Sequence, residues 1–339
     1  MNIQQAIRAV TERRDLSREE MTEVMTQIMT GEATEAQIGG FLIGLRMKGE
    51  TIDEISAAAK VMRSLSSAVT VNAPHLVDTC GTGGDASRIF NVSTASAFVC
   101  AAVGAQVAKH GNRSVSSSSG SADLLEEAGA RIDLSPGQVG ACIEKIGIGF
   151  MFAPAHHGAM KHAIGPRREM AVRTIFNVLG PLTNPAGAPN QMLGVFTGEL
   201  VELLAEALNQ LGSRHVLVVH SDDGLDEISV AAPTRVAELK DGRVATWVLN
   251  PGELDARHPS IDGLSVDGAA ASLKLINGVF AGDKGPARDI VALNAGAAIY
   301  ASGVATTLEE GVQHAREGID SGAAADKLKA FVDFTRSFS

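Results

Sequence analysis

The stretch "HLVDTCGTGGDASRIFNVSTASAFVCAAVGAQVAKHG", residues 75–111, reads as an apolar run, a glycine cluster, a helix from about 94 to 103 and a second apolar run. The pattern recurs downstream. "HLVDTC" (75–80) and "AQVA" (105–108) are followed by "FMFA" (150–153), "QMLGVF" (191–196) and "HVLVVH" (215–220), with helical segments between them. This alternation predicts an α/β domain with a largely parallel sheet. From Val236 the runs "VAEL" and "TWVL" predict a further strand pair, and helices are expected near 269–280, 286–301, 306–320 and 323–335.

Upstream, residues 1 to about 68 carry helical spacing only: Ile3, Ile7 and Val10, then Met21, Val24, Met25 and Ile28, then Ile38, Phe41, Leu42 and Leu45, then Ile55, Val61, Met62 and Leu65. Ser17 with Glu20 and Thr34 with Gln37 have the spacing of capping boxes. The linker "AVTVNAP" ends at Pro74. The expectation is a small N-terminal helical domain over 1–70 and a larger α/β domain, with a central mostly parallel sheet, over 74–339.

With 339 residues, 45% apolar and 20% charged, the composition is that of a soluble globular protein. Its 36 glycines beside 4% aromatic residues point to tight turns and close backbone packing. A net charge of -10 argues against non-specific nucleic-acid binding, which needs a basic face. Cys80, Cys100 and Cys142 are odd in number and form no CxxC pair, so neither a disulfide framework nor a thiolate zinc site is expected. The start lacks an apolar signal region, and the longest apolar stretch, around 95–105, is too short to span a bilayer. A cytoplasmic protein without membrane contact is expected.

"GTGGDA" (81–86) satisfies the relaxed dinucleotide fingerprint through Gly81, Gly83 and Ala86, but no acid follows before Asp123 to hold a ribose hydroxyl. A nicotinamide site is therefore disfavoured, while glycines ending a strand still let backbone amides approach an oxyanion. A plain tight turn is the competing reading. "NVST" (91–94) stands where a helix should begin; ordinary N-capping explains one of its polar residues, and a phosphate cradle explains all three. "KHGNRSVSS" (109–117) brings Lys109, Arg113 and several hydroxyls, with a serine linker as the alternative.

No Asp or Glu occurs in 86–122, although Arg88, Lys109 and Arg113 do, as expected of a window wrapped around an anionic ligand. In "DDGLDE" (222–227), Asp226 and Glu227 can converge on a hard cation such as Mg2+, which prefers one or two carboxylates plus phosphates and water. Taken alone, the stretch is better explained as a solvated acidic loop than as a metal site. "GPRRE" (165–169) is read with Pro166 at a first helical position, so that Arg167 and Arg168 oppose the helix dipole and invite an anion. The histidines of "AHHGAMKH" lack zinc-site spacing and are read as lining a wall. Together these loops suit a polyphosphate bridged by metal.

"GTGGD", "NVSTASAF", "KHGNRSVSS", "GSAD", "MKH", "RRE", "RTIFN", "LGPLTNPA" and "DGLDEIS" stand in an order and spacing that resembles the anthranilate phosphoribosyltransferase family from about residue 1 to the C-terminus. The resemblance implies a homodimer with the two-domain plan of pyrimidine nucleoside phosphorylases, the segment near 170–190 returning to the helical domain. It implies transfer of phosphoribose from 5-phosphoribosyl 1-diphosphate to anthranilate in tryptophan biosynthesis, with two Mg2+ ions. The donor would be held by Gly81, Gly84 and Asp85, by the backbone at Ile89, and by Asn91, Val92, Ser93 and Thr94. Lys109, His110, Gly111, Asn112, Arg113, Ser114, Val115, Ser116 and Ser117 would hold its phosphates, with Ser121 closing the pocket.

Ser93, Asp226 and Glu227 would bind metal, and Gly81, Asn112 and Arg167 would contact anthranilate. Ile89 stands where many members have Thr, and Ser118 where many have Lys. No covalent nucleophile is expected, and His110 is the one candidate proton acceptor. A pyrimidine nucleoside phosphorylase would carry a different lysine signature, and a nucleic-acid-binding relative would have lost the acids or glycines kept here.

Overall fold

The computed structural model describes residues 1–84, 87–114 and 119–338. Four helices open the chain: α1 (Ile3–Thr11), α2 (Arg18–Thr30), α3 (Glu35–Lys48) and α4 (Ile52–Ser64). Each begins with a reciprocal capping box, at Asn2/Gln5, Ser17/Glu20, Thr34/Gln37 and Thr51/Glu54. These satisfy amide donors that a helix start leaves open. Glu54 goes further: it is fully buried, accepts from the Leu16 amide at 2.9 Å and pairs with Lys48 at 3.0 Å, which ties the α1–α2 connection, α3 and α4 together.

Strand and helix then alternate: β1 (Leu76–Gly81), α5 (Val92–Ala102), β2 (Gln106–Gly111), α6 (Ser121–Glu127), α7 (Pro136–Ile146), β3 (Ile148–Phe152), α8 (Ala153–His156), α9 (Lys161–Met170) and α10 (Phe176–Leu179). After them come β4 (Asn190–Gly194), α11 (Leu200–Gln210), β5 (His215–Ser221), β6 (Thr234–Lys240) and β7 (Arg243–Leu249). The closing helices are α12 (Ala269–Phe280), α13 (Pro286–Ser302), α14 (Leu308–Asp320) and α15 (Ala323–Arg336).

Seven strands form one sheet in the order β3-β2-β1-β4-β5-β6-β7. The first five strands in that order pair parallel, and β6 and β7 continue as an antiparallel hairpin. β1 has β2 on one side and β4 on the other, so the direction of winding reverses between β1 and β4. In α/β sheets the crevice at such a reversal, beyond the carboxyl ends of the strands, is where ligands bind.

Alternate residues serve opposite faces, as the pleat requires. Leu217 and Val219 of β5 enter one apolar cluster with α5, α13 and α14, whereas Val216 and Val218 enter another. That second cluster runs without a break into the N-terminal helices through Ile55 and Leu204, and it also includes Ile175, Phe176, Leu179 and Leu182. α5 is buried on almost all sides, and its Phe98 meets Phe331 edge to face at 5.7 Å. Truncating such a ring typically costs about 3–5 kcal/mol.

Two expectations need correction. Ala153, expected to end a strand, begins α8. Pro166 is the sixth residue of α9 rather than its first, so Arg167 and Arg168 lie in the last turn, where cations favour the dipole instead of opposing it. A proline this deep leaves the His162 carbonyl without its intrahelical donor. α9 then ends at Ala171, whose φ of 51° turns the chain sharply.

Candidate active site at the winding reversal

The glycine turn after β1 lies at the reversal and is fastened to the ends of β4 and β5. Thr82 donates its amide to the Gly194 carbonyl at 2.9 Å, and its hydroxyl accepts from the Phe196 amide at 3.1 Å. Gly83 donates its amide to Asp226 Oδ2 at 3.0 Å. Side chains are excluded here for steric reasons: a Cβ on Gly81 would sit 2.6 Å from Asp226 Oδ2, and one on Gly194 would overlap the Asp226 carbonyl. Gly83 and Gly84 both take left-handed φ, 62° and 83°, which a side chain would oppose.

The four acids of 222–227 divide by role. Asp222 pairs with Arg235 at 3.2 Å, and Asp223 accepts from the Ser229 hydroxyl at 2.6 Å, so both brace the loop. Asp226 faces the glycine turn, and Glu227 is buried, with its charge acting on Lys109.

Lys109, expected as a phosphate ligand, is 2% exposed. Its ammonium donates to the Thr79 carbonyl at 2.5 Å and to Ser93 Oγ at 3.3 Å. Burial pulls its pKa down, opposed by Asp78 and then by more distant groups including Glu227. Ser93 and Glu227 therefore share Lys109 as a neighbour. Asp78, an acid inside an apolar strand, accepts from the His110 amide at 3.2 Å and from Asn184 Nδ2 at 2.8 Å. Reading the sequence for loop motifs passed over both Asp78 and Asn184; the signal available was a charged residue within "HLVDTC".

α5 begins without a side-chain cap. Asn91, which would ordinarily supply it, instead donates through Nδ2 to the Ser119 carbonyl at 3.0 Å and accepts from Ser272 Oγ at 2.7 Å. Thr94 Oγ1 is buried with no partner among the described residues. Ile89 forms a bridge to Ser265 whose bonds come from Phe90 N and Arg88 O, so the amide and carbonyl of Ile89 point away from it.

The stem of the 112–120 loop is gathered by Asp123. Its Oδ2 accepts from the amides of Ser114 at 3.0 Å and Gly120 at 2.9 Å, and its Oδ1 accepts from Arg113 at 3.1 Å. Partial burial works against ionisation, but these three donors outweigh it and hold the carboxyl below its usual range. Arg113 also pairs with Glu126 at 2.5 Å. The acid-free window is thus answered in three dimensions: acids beyond its ends compensate both Arg113 and Lys109. Ser121 donates its hydroxyl to the Asn112 carbonyl at 3.4 Å and closes the stem beside Gly111, where a Cβ would meet it. Asp85, Val115, Ser116, Ser117 and Ser118 lie outside the described residues.

The His110 and His157 rings pack at a tilt of 57° with centroids 5.1 Å apart, and the Nε2 atoms of His110, His156 and His157 are buried without partners among the described residues. Burial, reinforced by the neighbouring histidines, pushes His110 down to about 3 and His157 to about 4, so both rings are neutral at pH 7. Arg167 is half-buried, with its guanidinium 5.2 Å over the Phe176 ring. No carboxylate among the described residues pairs with it.

Fold and site together define a two-part glycosyl transferase. Residues 73–325 match the glycosyl transferase family a/b domain, and residues 4–66 match the helical bundle domain of that family. The chain is 65% identical to the anthranilate phosphoribosyltransferase of Thioalkalivibrio sulfidiphilus, over 99% of this chain and 100% of that protein. The enzyme of that name from Thermus thermophilus superposes with a TM-score of 0.93 at 42% identity, covering 98% of this chain and 99% of that one. The Saccharomyces cerevisiae enzyme in complex with PRPP and Mg superposes with a TM-score of 0.89 at 26% identity, covering 99% and 98%. A further structure of the yeast enzyme holds 4-fluoroanthranilate. The chain belongs to the anthranilate phosphoribosyltransferase family.

Proposed function

We propose that this chain transfers the 5-phosphoribosyl group from 5-phosphoribosyl 1-diphosphate to the amine of anthranilate, releasing N-(5-phosphoribosyl)anthranilate and diphosphate, as a step of tryptophan biosynthesis. The observation that carries the reading is the meeting, at the winding reversal, of a glycine turn, an uncapped helix start and the Asp226 carboxylate, with Glu227 buried next to it in the chain. The donor lies across Gly81, Gly84 and Asp85, the Ile89 backbone, Asn91 to Thr94, His110 to Ser117, and Ser121, with the buried Lys109 acting through Ser93 rather than by direct contact. Anthranilate meets Gly81, Asn112 and Arg167.

Half-buried Arg167, with no ion-pair partner among the described residues, suits the carboxylate of anthranilate. His110, the candidate proton acceptor, is neutral but buried with its pKa pushed down to about 3, which makes it a weak base for the attacking amine and argues against that role. No covalent intermediate is needed. Orientation of the two substrates can contribute about 7–11 kcal/mol in favourable cases, and the α5 amides act on charge at the leaving oxygens.

Asp226, Glu227 and the Ser93 hydroxyl would hold Mg2+; two carboxylates beside a phosphate site are the donor set that this ion accepts. When bound it would neutralise diphosphate charge. Two such ions, a cytoplasmic location and a homodimer complete the proposal. Met47, 71% exposed on α3, and Ile164, 45% exposed on α9, give that dimer an apolar surface on packed helices. The segment 170–190 belongs with the helical domain in this reading, consistent with the side chains of Ile175 to Leu182 in the shared cluster. The test is loss of anthranilate fluorescence on adding donor and Mg2+; a stable signal with folded protein would refute the assignment.

A further inference from the structure

The connector between α9 and α10 touches both halves of the molecule through one residue. Arg46, in the last turn of α3, donates through Nη1 to the Arg173 carbonyl at 2.6 Å. The Arg173 guanidinium lies 4.1 Å over the Phe196 ring and donates through Nη2 to the Gly84 carbonyl. Phe196 in turn donates its amide to Thr82 Oγ1. Arg173 is thus bonded by its backbone to the helical bundle and by its side chain to the glycine turn, against a ring that is itself fastened to that turn.

Gly83 and Gly84 are consecutive left-handed glycines, and such a pair has many other backbone states open to it. We propose that Arg173 is a positioning residue for the phosphoribosyl donor: it pins the Gly84 carbonyl, selects one conformation of the turn, and relays to it the position that Arg46 gives the connector. This rests on the reading that the glycine turn holds the donor. A planar guanidinium can stack on Phe196 and donate at its edge together, which a lysine ammonium cannot reproduce.

The experiment combines hydrogen exchange with donor titration on the full chain. In the wild type, donor with Mg2+ should slow amide exchange over 81–84; if it does not, the donor reading itself fails. Arg173→Ala should speed exchange there without ligand. It should raise donor Kd and KM about tenfold, equivalent to about 1.4 kcal/mol, with kcat at saturating donor little changed. Arg173→Lys should recover part of the loss.

Arg46→Ala should weaken donor binding less than Arg173→Ala, and the double variant should be no worse than Arg173→Ala alone, because the second change removes a link already cut. Protection in the wild type with unchanged donor Kd in a folded Arg173→Ala would overturn the positioning role. Summing effects in the double variant would overturn the relay. If Arg173→Ala fails to fold, Arg173→Lys and Arg46→Ala carry the same comparison, and wild-type donor Kd in both would overturn the proposal.

Discussion

Replacing Asp123 with alanine should open the phosphate loop without unfolding the protein. One carboxylate oxygen accepts two backbone amides, from Ser114 and Gly120, and the other accepts Arg113. A hydrogen bond to a charged group contributes about 1.5–3 kcal/mol. Two amides sharing one partly exposed oxygen justify the lower end for each, or about 3 kcal/mol for the stem, with the exposed Arg113 pair adding little. Because the loop is a local unit, the loss should appear mainly as local opening and only weakly in Tm.

Donor binding must then reclose the stem, so Kd should rise by up to about a hundredfold. Asparagine is the informative contrast. Its carbonyl can keep both amides only as weaker neutral hydrogen bonds, and its amide nitrogen loses Arg113, so Asp123→Asn should lie between the wild type and Asp123→Ala in donor affinity. The sign with pH follows from the depressed carboxyl. Its contribution is fully present above the unfolded-state value of about 3.9 and is lost as pH falls through the lower folded value. The advantage of wild type over Asp123→Ala should therefore hold at pH 7 and shrink below about pH 4. Calorimetric titration with 5-phosphoribosyl 1-diphosphate and Mg2+, with hydrogen exchange over 112–124, reads both effects. Donor affinity within twofold of wild type in Asp123→Ala would refute the stem argument.

Arg167→Ala should raise the anthranilate KM at least tenfold, the scale of about 1.4 kcal/mol, with a smaller effect on the donor; steady-state kinetics with each substrate varied would show an error if the donor KM moved instead. Asp226→Asn with Glu227→Gln should raise the Mg2+ concentration needed for half-maximal rate and weaken calorimetric Mg2+ binding in the presence of diphosphate, with a lowered but still cooperative thermal melt because Glu227 helps to compensate buried Lys109. Gly194→Ala should displace Asp226 through its backbone, costing about 1–3 kcal/mol of stability as overpacking does, and should lower kcat/KM far more than Tm; full activity would show that the two strand ends can separate freely.

Periodicity and capping are local, and what they control was legible in the linear chain. The helical N-terminal region, the strand runs from β1 to β7 and the closing helices from α12 to α15 follow from residues within a turn or two of one another. The glycine turn, the "NVST" helix start and the acidic loop were recognisable because each is a short run with distinctive chemistry. Pro166 misled for the same reason: a proline signals a helix start only when tertiary packing has not already committed the preceding residues to helix, and α9 begins at Lys161.

What the chain alone leaves open depends on contacts between residues far apart in sequence. The order β3-β2-β1-β4-β5, which puts the winding reversal at the glycine turn, comes from parallel pairing across connections of many residues. Lys109 is buried because Thr79 and Ser93 meet its ammonium. The same packing divides the four acids of 222–227 between bracing the loop and facing the site. Arg173 reaches Gly84 only because α9 turns at Ala171 and α3 holds the connector. A side chain's charge is a property of the sequence, but its partner, and hence its role, is chosen by which distant elements pack beside it.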